Sequence, residues 1–266
     1  MIPQLEVLGY AIPTYLLTLS IVYCIGIFYF FKRLARFSLN PNVASDILLL
    51  AMVLGFIGAR VFYIIYQEPD YYMQNPFEIL QFWHGGFVYY GGFLTAMLAC
   101  FMYLKRKNEN LGLWMDAAAP VLALGYGLGR LACFFNGCCY GAVCTLPWAI
   151  QFPHLHGERH PTQIYAVAFE LSVWALLLLL ERKVTYKFKT FGMLFYTWIV
   201  AHGIGRIVME LFRDDPRGEK IFGFTISTCI SLILIAWGTI RLIQNIKTPT
   251  SSNPTDTSTT KAKNTL

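Results

Sequence analysis

The chain has 266 residues, of which 56% are hydrophobic, 16% aromatic and 14% charged, with a formal net charge of +6; its mean hydropathy is +0.50. A soluble domain carries about a quarter charged residues, so the composition excludes an ordinary water-soluble globule. It points instead to an all-α integral membrane protein of one helical bundle, with a net charge that anchoring residues explain without any nucleic acid.

Seven apolar runs approach the ~20 residues needed to cross a bilayer. The first, Ala11–Phe31, carries Tyr15 and is followed by Lys32, Arg33 and Arg36. No basic residue precedes it, so it is not read as a cleavable signal. Ser45–Tyr66 is the second. The stretch 67–85 is too polar to span and too rich in Tyr, Phe and Trp for a free loop, and is expected to form an arm at headgroup depth. The third run, Gly86–Leu104, opens after Trp83-His84 with paired glycines, and Lys105, Arg106 and Lys107 close it. Met115–Phe135 is the fourth. Residues 136–161 are expected to form a small extracytoplasmic head. Thr162–Leu180 follows, then Arg182, Lys183, Lys187 and Lys189; then Thr190–Leu211 and Ile221–Ile243. The polar tail, residues 244–266, is expected to be disordered. Basic residues dominate alternate loops, which predicts seven spans, residues 1–243 as one transmembrane domain, the N-terminus outside and the C-terminus in the cytoplasm.

Arg60, Arg130, Glu170, Arg206 and Glu210 fall inside the apolar runs. A charge at a helix centre costs roughly 2.5–3.5 kcal/mol on insertion scales, so each is a functional candidate. Arg206 and Glu210 are four apart and can pair, and Glu170 can serve one of the other arginines. The surplus of arginine favours a phosphate-bearing ligand, which guanidinium grips with two parallel bonds. Glycines beside Arg60, Arg130 and Arg206 allow close helix approach, so that three arginines can converge on one cavity. Four of the seven cysteines, Cys133, Cys138, Cys139 and Cys144, cluster near the outer face. A disulfide, tuned free thiols and a zinc site with nearby histidines are all open readings. Pro161 and Thr162 suit a helix N-terminus, which itself favours an anion.

The ordered set of Tyr15, Gly58-Ala59-Arg60, Trp83-His84-Gly85-Gly86-Phe87 with Tyr90-Gly91-Gly92, Gly129-Arg130 through Asn136-Gly137 and Gly141, His160-Pro161-Thr162-Gln163-Ile164-Tyr165, and Gly205-Arg206 through Glu210 to Arg213 resembles the prolipoprotein diacylglyceryl transferases of the bacterial inner membrane. The resemblance implies transfer of the diacylglyceryl group of phosphatidylglycerol to the lipobox cysteine thiol of a prolipoprotein, with release of glycerol phosphate. By position, Arg130 and Arg206 would hold the phosphate, Glu210 would orient Arg206, Tyr15 would lie near the headgroup, and Tyr90 stands where some members carry a histidine taken as the base. The same resemblance makes Arg60, Asn136, Gly137, Gly141, His160 and Gln163 substrate-binding candidates. Two positions depart from the family pattern: Cys133 replaces an asparagine and Cys138 a glutamate. His202 stands where a tyrosine is usual.

The implied chemistry needs a thiolate to attack the glyceryl carbon while a phosphate ester leaves. Two arginines would stabilise the charge growing on that phosphate. Tyr90, His202, His160 and Cys138 are the candidate proton acceptors, and neither cofactor nor metal is called for. A related transferase with another acceptor is the alternative within the enzyme class. A membrane anion transporter or thiol-redox protein is the alternative outside it, against which the lack of a C-x2-C pair counts.

Overall fold

A computed structural model of the chain describes residues 4–7, 10–66, 68–82, 86–153, 155–183, 191–215 and 223–247. Trp83, His84, Gly85, His154, Lys187, Lys189, Arg217, Glu219, Lys220 and the tail from residue 248 lie outside the described residues, as does the side chain of Tyr90.

The described residues are mainly helical. A short antiparallel ribbon comes first, β1 (Gln4–Val7) on β2 (Tyr10–Pro13), with Gln4 opposite Pro13. Then follow α1 (Thr14–Phe37), α2 (Pro41–Tyr66), the short α3 (Pro69–Gln74), a 3-10 turn (Pro76–Leu80), α4 (Tyr89–Arg106), α5 (Leu111–Asn136), a two-residue ribbon of β3 (Ile150–Gln151) and β4 (Glu158–Arg159), α6 (Thr162–Lys183), α7 (Met193–Phe212) and α8 (Ile226–Lys247). The ribbons are a departure from an all-α reading. The first takes Ala11–Pro13 out of the expected first span, so α1 begins at Thr14.

Each of the seven expected runs coincides with a long helix, with shifted ends. The third begins at Tyr89 rather than Gly86, whose φ of +79° is not helical, and the sixth begins at Met193 after the left-handed Gly192. Among the described residues, five helices are long and apolar enough to cross a membrane: α1, α2, α5, α6 and α8. Large apolar side chains point outward along them, among them Phe28 at 73% exposure, Leu179 at 66% and Ile233 at 67%. Such outward apolar surface needs an apolar solvent, and lipid supplies it.

The chain divides into two compact units, residues 31–114 and residues 1–30 with 115–266. In the first, α2 and α4 pack through glycine. A Cβ on Gly58 would sit 2.3 Å from the Thr95 hydroxyl, and one on Gly92 2.6 Å from the Gly55 carbonyl. Small residues let helices approach where lipid gives no hydrophobic drive. The arm of α3 and the 3-10 turn is tied to α2 by Arg60, which is 7% exposed. Its guanidinium donates to the carbonyls of Glu78 (3.0 Å), Gly86 (3.2 Å), Ile79 (3.3 Å) and Gln81 (3.3 Å). It also lies 5.3 Å from the Tyr72 ring.

In the second unit, Gly205 abuts the Phe169 ring and Gly203 abuts Ile235, which brings α7 against α6 and α8. Asp116, 3% exposed, accepts from the amides of Gly192 (2.7 Å) and Phe195 (3.1 Å) and so satisfies donors that the start of α7 would leave orphaned. Residues 137–161 carry the β3–β4 ribbon around a fully buried Phe152. Gly141 is where this region crosses its neighbours. Its amide donates to the His160 carbonyl (3.0 Å), and a Cβ there would lie 2.6 Å from the His160 Cβ and 2.7 Å from the Phe212 carbonyl.

Candidate active site

Three helix faces of the second unit converge on one cleft. It is lined by Tyr126 and Arg130 of α5, Thr162, Gln163 and Ala166 of α6, Arg206 and Met209 of α7, Arg213 just beyond α7, and Cys139. The spacings are those of single helix faces: i, i+4 on α5, and i, i+3, i+7 for Arg206, Met209 and Arg213.

The cleft is cationic. Arg206 Nη1 meets Glu210 Oε2 at 2.8 Å, one turn along the same helix. Arg213 forms a two-point pair with Asp215, at 2.8 and 2.7 Å. Arg130 has no carboxylate among its described partners. It donates through Nη2 to the Tyr126 hydroxyl, lies 4.6 Å from the centre of that ring, and its Nη1 stands 4.0 Å from Cys139 Sγ. Behind Tyr126, its ring meets His202 edge to face at 4.5 Å, and His202 Nδ1 is 2.6 Å from Glu170 Oε1. Glu170 is 2% exposed. A buried carboxylate needs such a partner, and here the partner is histidine, not the arginine that the sequence reading allowed for.

The opening of the cleft is made by the end of α5. Gly137 is left-handed (φ +74°), its amide donates to Phe134, and the Cys138 amide donates to the Cys133 carbonyl (3.1 Å for both). This pair of bonds is the Schellman ending, which glycine permits because it has no Cβ to clash. Cys139 is also left-handed (φ +64°), rare for a residue with a side chain. The turn folds Cys138 and Cys139 back over Cys133, and the three sulfurs lie within 4.8 Å of one another. The start of α6 clamps this turn: Thr162 Oγ1 donates to the Cys139 carbonyl (2.6 Å) and Gln163 Nε2 to the Cys138 carbonyl (2.5 Å). All the cysteines are free thiols. Hydrogen bonds from the Cys133 and Cys138 thiols, and then the Arg213 and Arg130 charges, hold the Cys139 thiol far below the usual thiol range.

Of the expected site residues, Arg130, Arg206 and Gln163 line the cleft, and Glu210 pairs with Arg206. Cys138 lies in the thiol trio, Gly137 makes its turn, Asn136 ends α5, and Tyr15 is within electrostatic reach of the trio and Arg130. His202 reaches the cleft through Tyr126. His160 does not line it: its ring faces Tyr165, with Nδ1 3.2 Å from the hydroxyl, and Phe212. Gly141 serves the crossing of strands rather than the cleft. Arg60 is engaged with the arm of its own unit, and the third arginine of the cleft is Arg213. Cys144 stands apart from the trio, its amide on the Glu158 carbonyl (2.9 Å). Tyr126 is the residue that sequence reasoning passed over; Cys139 was noted in the cysteine cluster and Arg213 in the motif after Arg206, neither with a place in the site. Tyr126 sits one turn before Arg130 and Arg213 seven residues after Arg206, so a search along those helix faces would have found both.

The model of the prolipoprotein diacylglyceryl transferase family matches residues 3–244. A protein of Streptococcus pneumoniae serotype 4, named phosphatidylglycerol–prolipoprotein diacylglyceryl transferase, is 34% identical over 244 residues, 89% of this chain and 91% of that protein. One of the same name from Clostridium tetani is 32% identical over 212 residues, 78% of this chain and 82% of that protein.

Proposed function

The chain belongs to the prolipoprotein diacylglyceryl transferase family, and from that membership we propose that it moves the diacylglyceryl group of phosphatidylglycerol onto the cysteine thiol of a prolipoprotein's lipobox. The observation that carries this reading is the cleft with three arginines in which Arg130 has no carboxylate partner among the described residues. A half-buried guanidinium of that kind is matched by a phosphate diester.

In the proposed reaction the acceptor thiol loses its proton, and the sulfur attacks the glyceryl carbon that bears the phosphate. The carbon–oxygen bond breaks and its electron pair leaves on the phosphate, released as glycerol phosphate. Arg130 and Arg206 grip the phosphate and stabilise the charge that grows on it. Loss of one pre-aimed donor in such a site costs roughly 2.7–4 kcal/mol. Glu210 holds Arg206 in line, and Tyr126, backed by the His202–Glu170 pair, does the same for Arg130. Tyr15 and Gln163 border the headgroup.

For its setting we propose seven spans in the bacterial cytoplasmic membrane, with the N-terminus outside, the C-terminus inside, the arm at the interface, and residues 136–161 on the outer face, where the acceptor arrives. Alternation of basic loops supports this arrangement. The test is transfer of labelled lipid from phosphatidylglycerol vesicles to a lipobox peptide by the purified protein. Arg130→Ala and Arg206→Ala are expected to abolish transfer while the protein still inserts in the membrane. Full activity in both would overturn the clamp, and no transfer by the unaltered protein would overturn the function.

A further inference from the structure

The trio of thiols has a geometry that neither the phosphate clamp nor the packing uses. Three sulfurs lie mutually within 4.8 Å. A tetrahedral zinc ion with Zn–S near 2.3 Å places its sulfurs about 3.8 Å apart. The trio therefore needs to contract by at most about 1 Å, within reach of side-chain rotation. The backbone that carries it is held on both sides, by the Schellman turn of α5 and by Thr162 and Gln163 of α6. Charge also fits. Three thiolates around a divalent ion leave one net negative charge, and Arg130 Nη1 stands 4.0 Å from Cys139 Sγ to balance it. Hard oxygen-seeking cations do not suit an all-sulfur set, whereas zinc does.

We propose that Cys133, Cys138 and Cys139 bind one Zn2+ whose fourth position opens into the cleft and receives the acceptor thiol. Three protein ligands and an open position are the pattern of a catalytic zinc, not of a structural one. Cys139 is the member that lines the cleft, so the fourth position faces the phosphate clamp. This inference rests on the transferase reading above. A thiol that coordinates zinc is deprotonated outright. The S–H proton passes to water, the zinc-held sulfur attacks the glyceryl carbon, the carbon–oxygen bond breaks, and its electron pair departs on the phosphate held by Arg130. The thioether formed is a neutral, weak ligand, so the product leaves. Nucleophile activation is then achieved without a dedicated base, and Cys133 and Cys138 have a shared purpose at positions where the resembling family carries asparagine and glutamate.

The test uses the full-length protein, reduced and stripped of metal in detergent, then titrated with CoCl2 as a spectroscopic stand-in for zinc. One equivalent is expected to give a sulfur-to-cobalt charge-transfer band. Cys133→Ser, Cys138→Ser and Cys139→Ser should each lose it, and Cys24→Ser, remote on α1, should keep it. ZnCl2 should protect the same three thiols of the unaltered protein from alkylation, read by peptide mass spectrometry, which needs no variant to fold. A lipobox peptide should shift the visible cobalt bands, and its serine counterpart should not. Absence of a stoichiometric band, or its survival in Cys139→Ser, overturns the site, and bands indifferent to the cysteine peptide overturn the fourth-ligand step. Full-rate transfer by metal-free protein overturns the role of zinc and leaves the transferase reading standing. Cobalt binding with no transfer by zinc-loaded protein overturns the transferase reading instead.

Discussion

Replacing Arg130 by lysine keeps the charge and removes the fork. A guanidinium has five N–H donors. One on Nη2 goes to the Tyr126 hydroxyl, and one on Nη1 faces Cys139 Sγ. Three remain for a ligand, enough for two parallel bonds to a phosphate. Lysine offers a single nitrogen, which cannot hold Tyr126 and also make a two-point contact. The substitution therefore loses about one charge-assisted hydrogen bond to the phosphate, worth roughly 1.5–3 kcal/mol. At about 1.4 kcal/mol per decade, kcat/KM should fall roughly 10- to 150-fold. The effect should appear in kcat, because the charge that the fork meets grows as the phosphate leaves. The assay is initial-rate transfer from labelled phosphatidylglycerol in mixed micelles to a lipobox peptide, with membrane insertion checked in parallel. A lysine variant within about twofold of the parent, far inside the decade expected, would show that Arg130 acts only as a diffuse charge, and the two-point clamp would be wrong.

Tyr126→Phe removes the hydroxyl that Arg130 Nη2 donates to. It should cost about 0.5–1.5 kcal/mol, a loss of about 2- to 12-fold in kcat/KM, with little change in melting temperature. Arg60→Ala frees three carbonyls of the arm and that of Gly86 beyond it; limited proteolysis should then cut between residues 68 and 82, and an arm that stays protected would refute its anchoring. Asp116→Ala uncaps α7, leaving the Gly192 and Phe195 amides without their acceptor. A loss of about 1 kcal/mol is expected, read as a lower melting temperature in detergent.

The seven long helices were legible because an apolar run is a property of consecutive residues. Their ends were less so. Residues Tyr10–Pro13 are apolar enough to extend a span, yet they pair with Gln4–Val7, and nothing in their hydropathy separates strand from helix. The arginine-lined cleft was legible in part, since Arg130 and Arg206 stand out as charges in apolar segments. Their surroundings depend on how each helix is rotated about its axis, which spacing alone leaves open. Hence Glu170 was available to any arginine and is instead found with His202, while Arg60 was expected at the phosphate and is found at the arm. The cysteine cluster was legible, but which three of its four members meet was not. Adjacent Cys138 and Cys139 lack the usual ligand spacing, and two left-handed backbone steps, at Gly137 and Cys139 on either side of Cys138, fold them onto Cys133.

Three hydrogen bonds from Arg60 to the arm end on the main-chain carbonyls of Glu78, Ile79 and Gln81. Every amino acid has such an oxygen, so this part of the attachment is indifferent to the arm's side chains; Tyr72, whose ring lies 5.3 Å from the guanidinium, is an arm side chain that takes part in the rest. Met73, Phe77 and Leu80 are exposed at 81%, 85% and 73%, and exchanges at such positions usually change stability by no more than about 0.5 kcal/mol. The arm is thus a stretch whose outer chemistry can be rewritten by mutation while its seat on α2 stays fixed, much as a handle can be re-covered without moving its bolts.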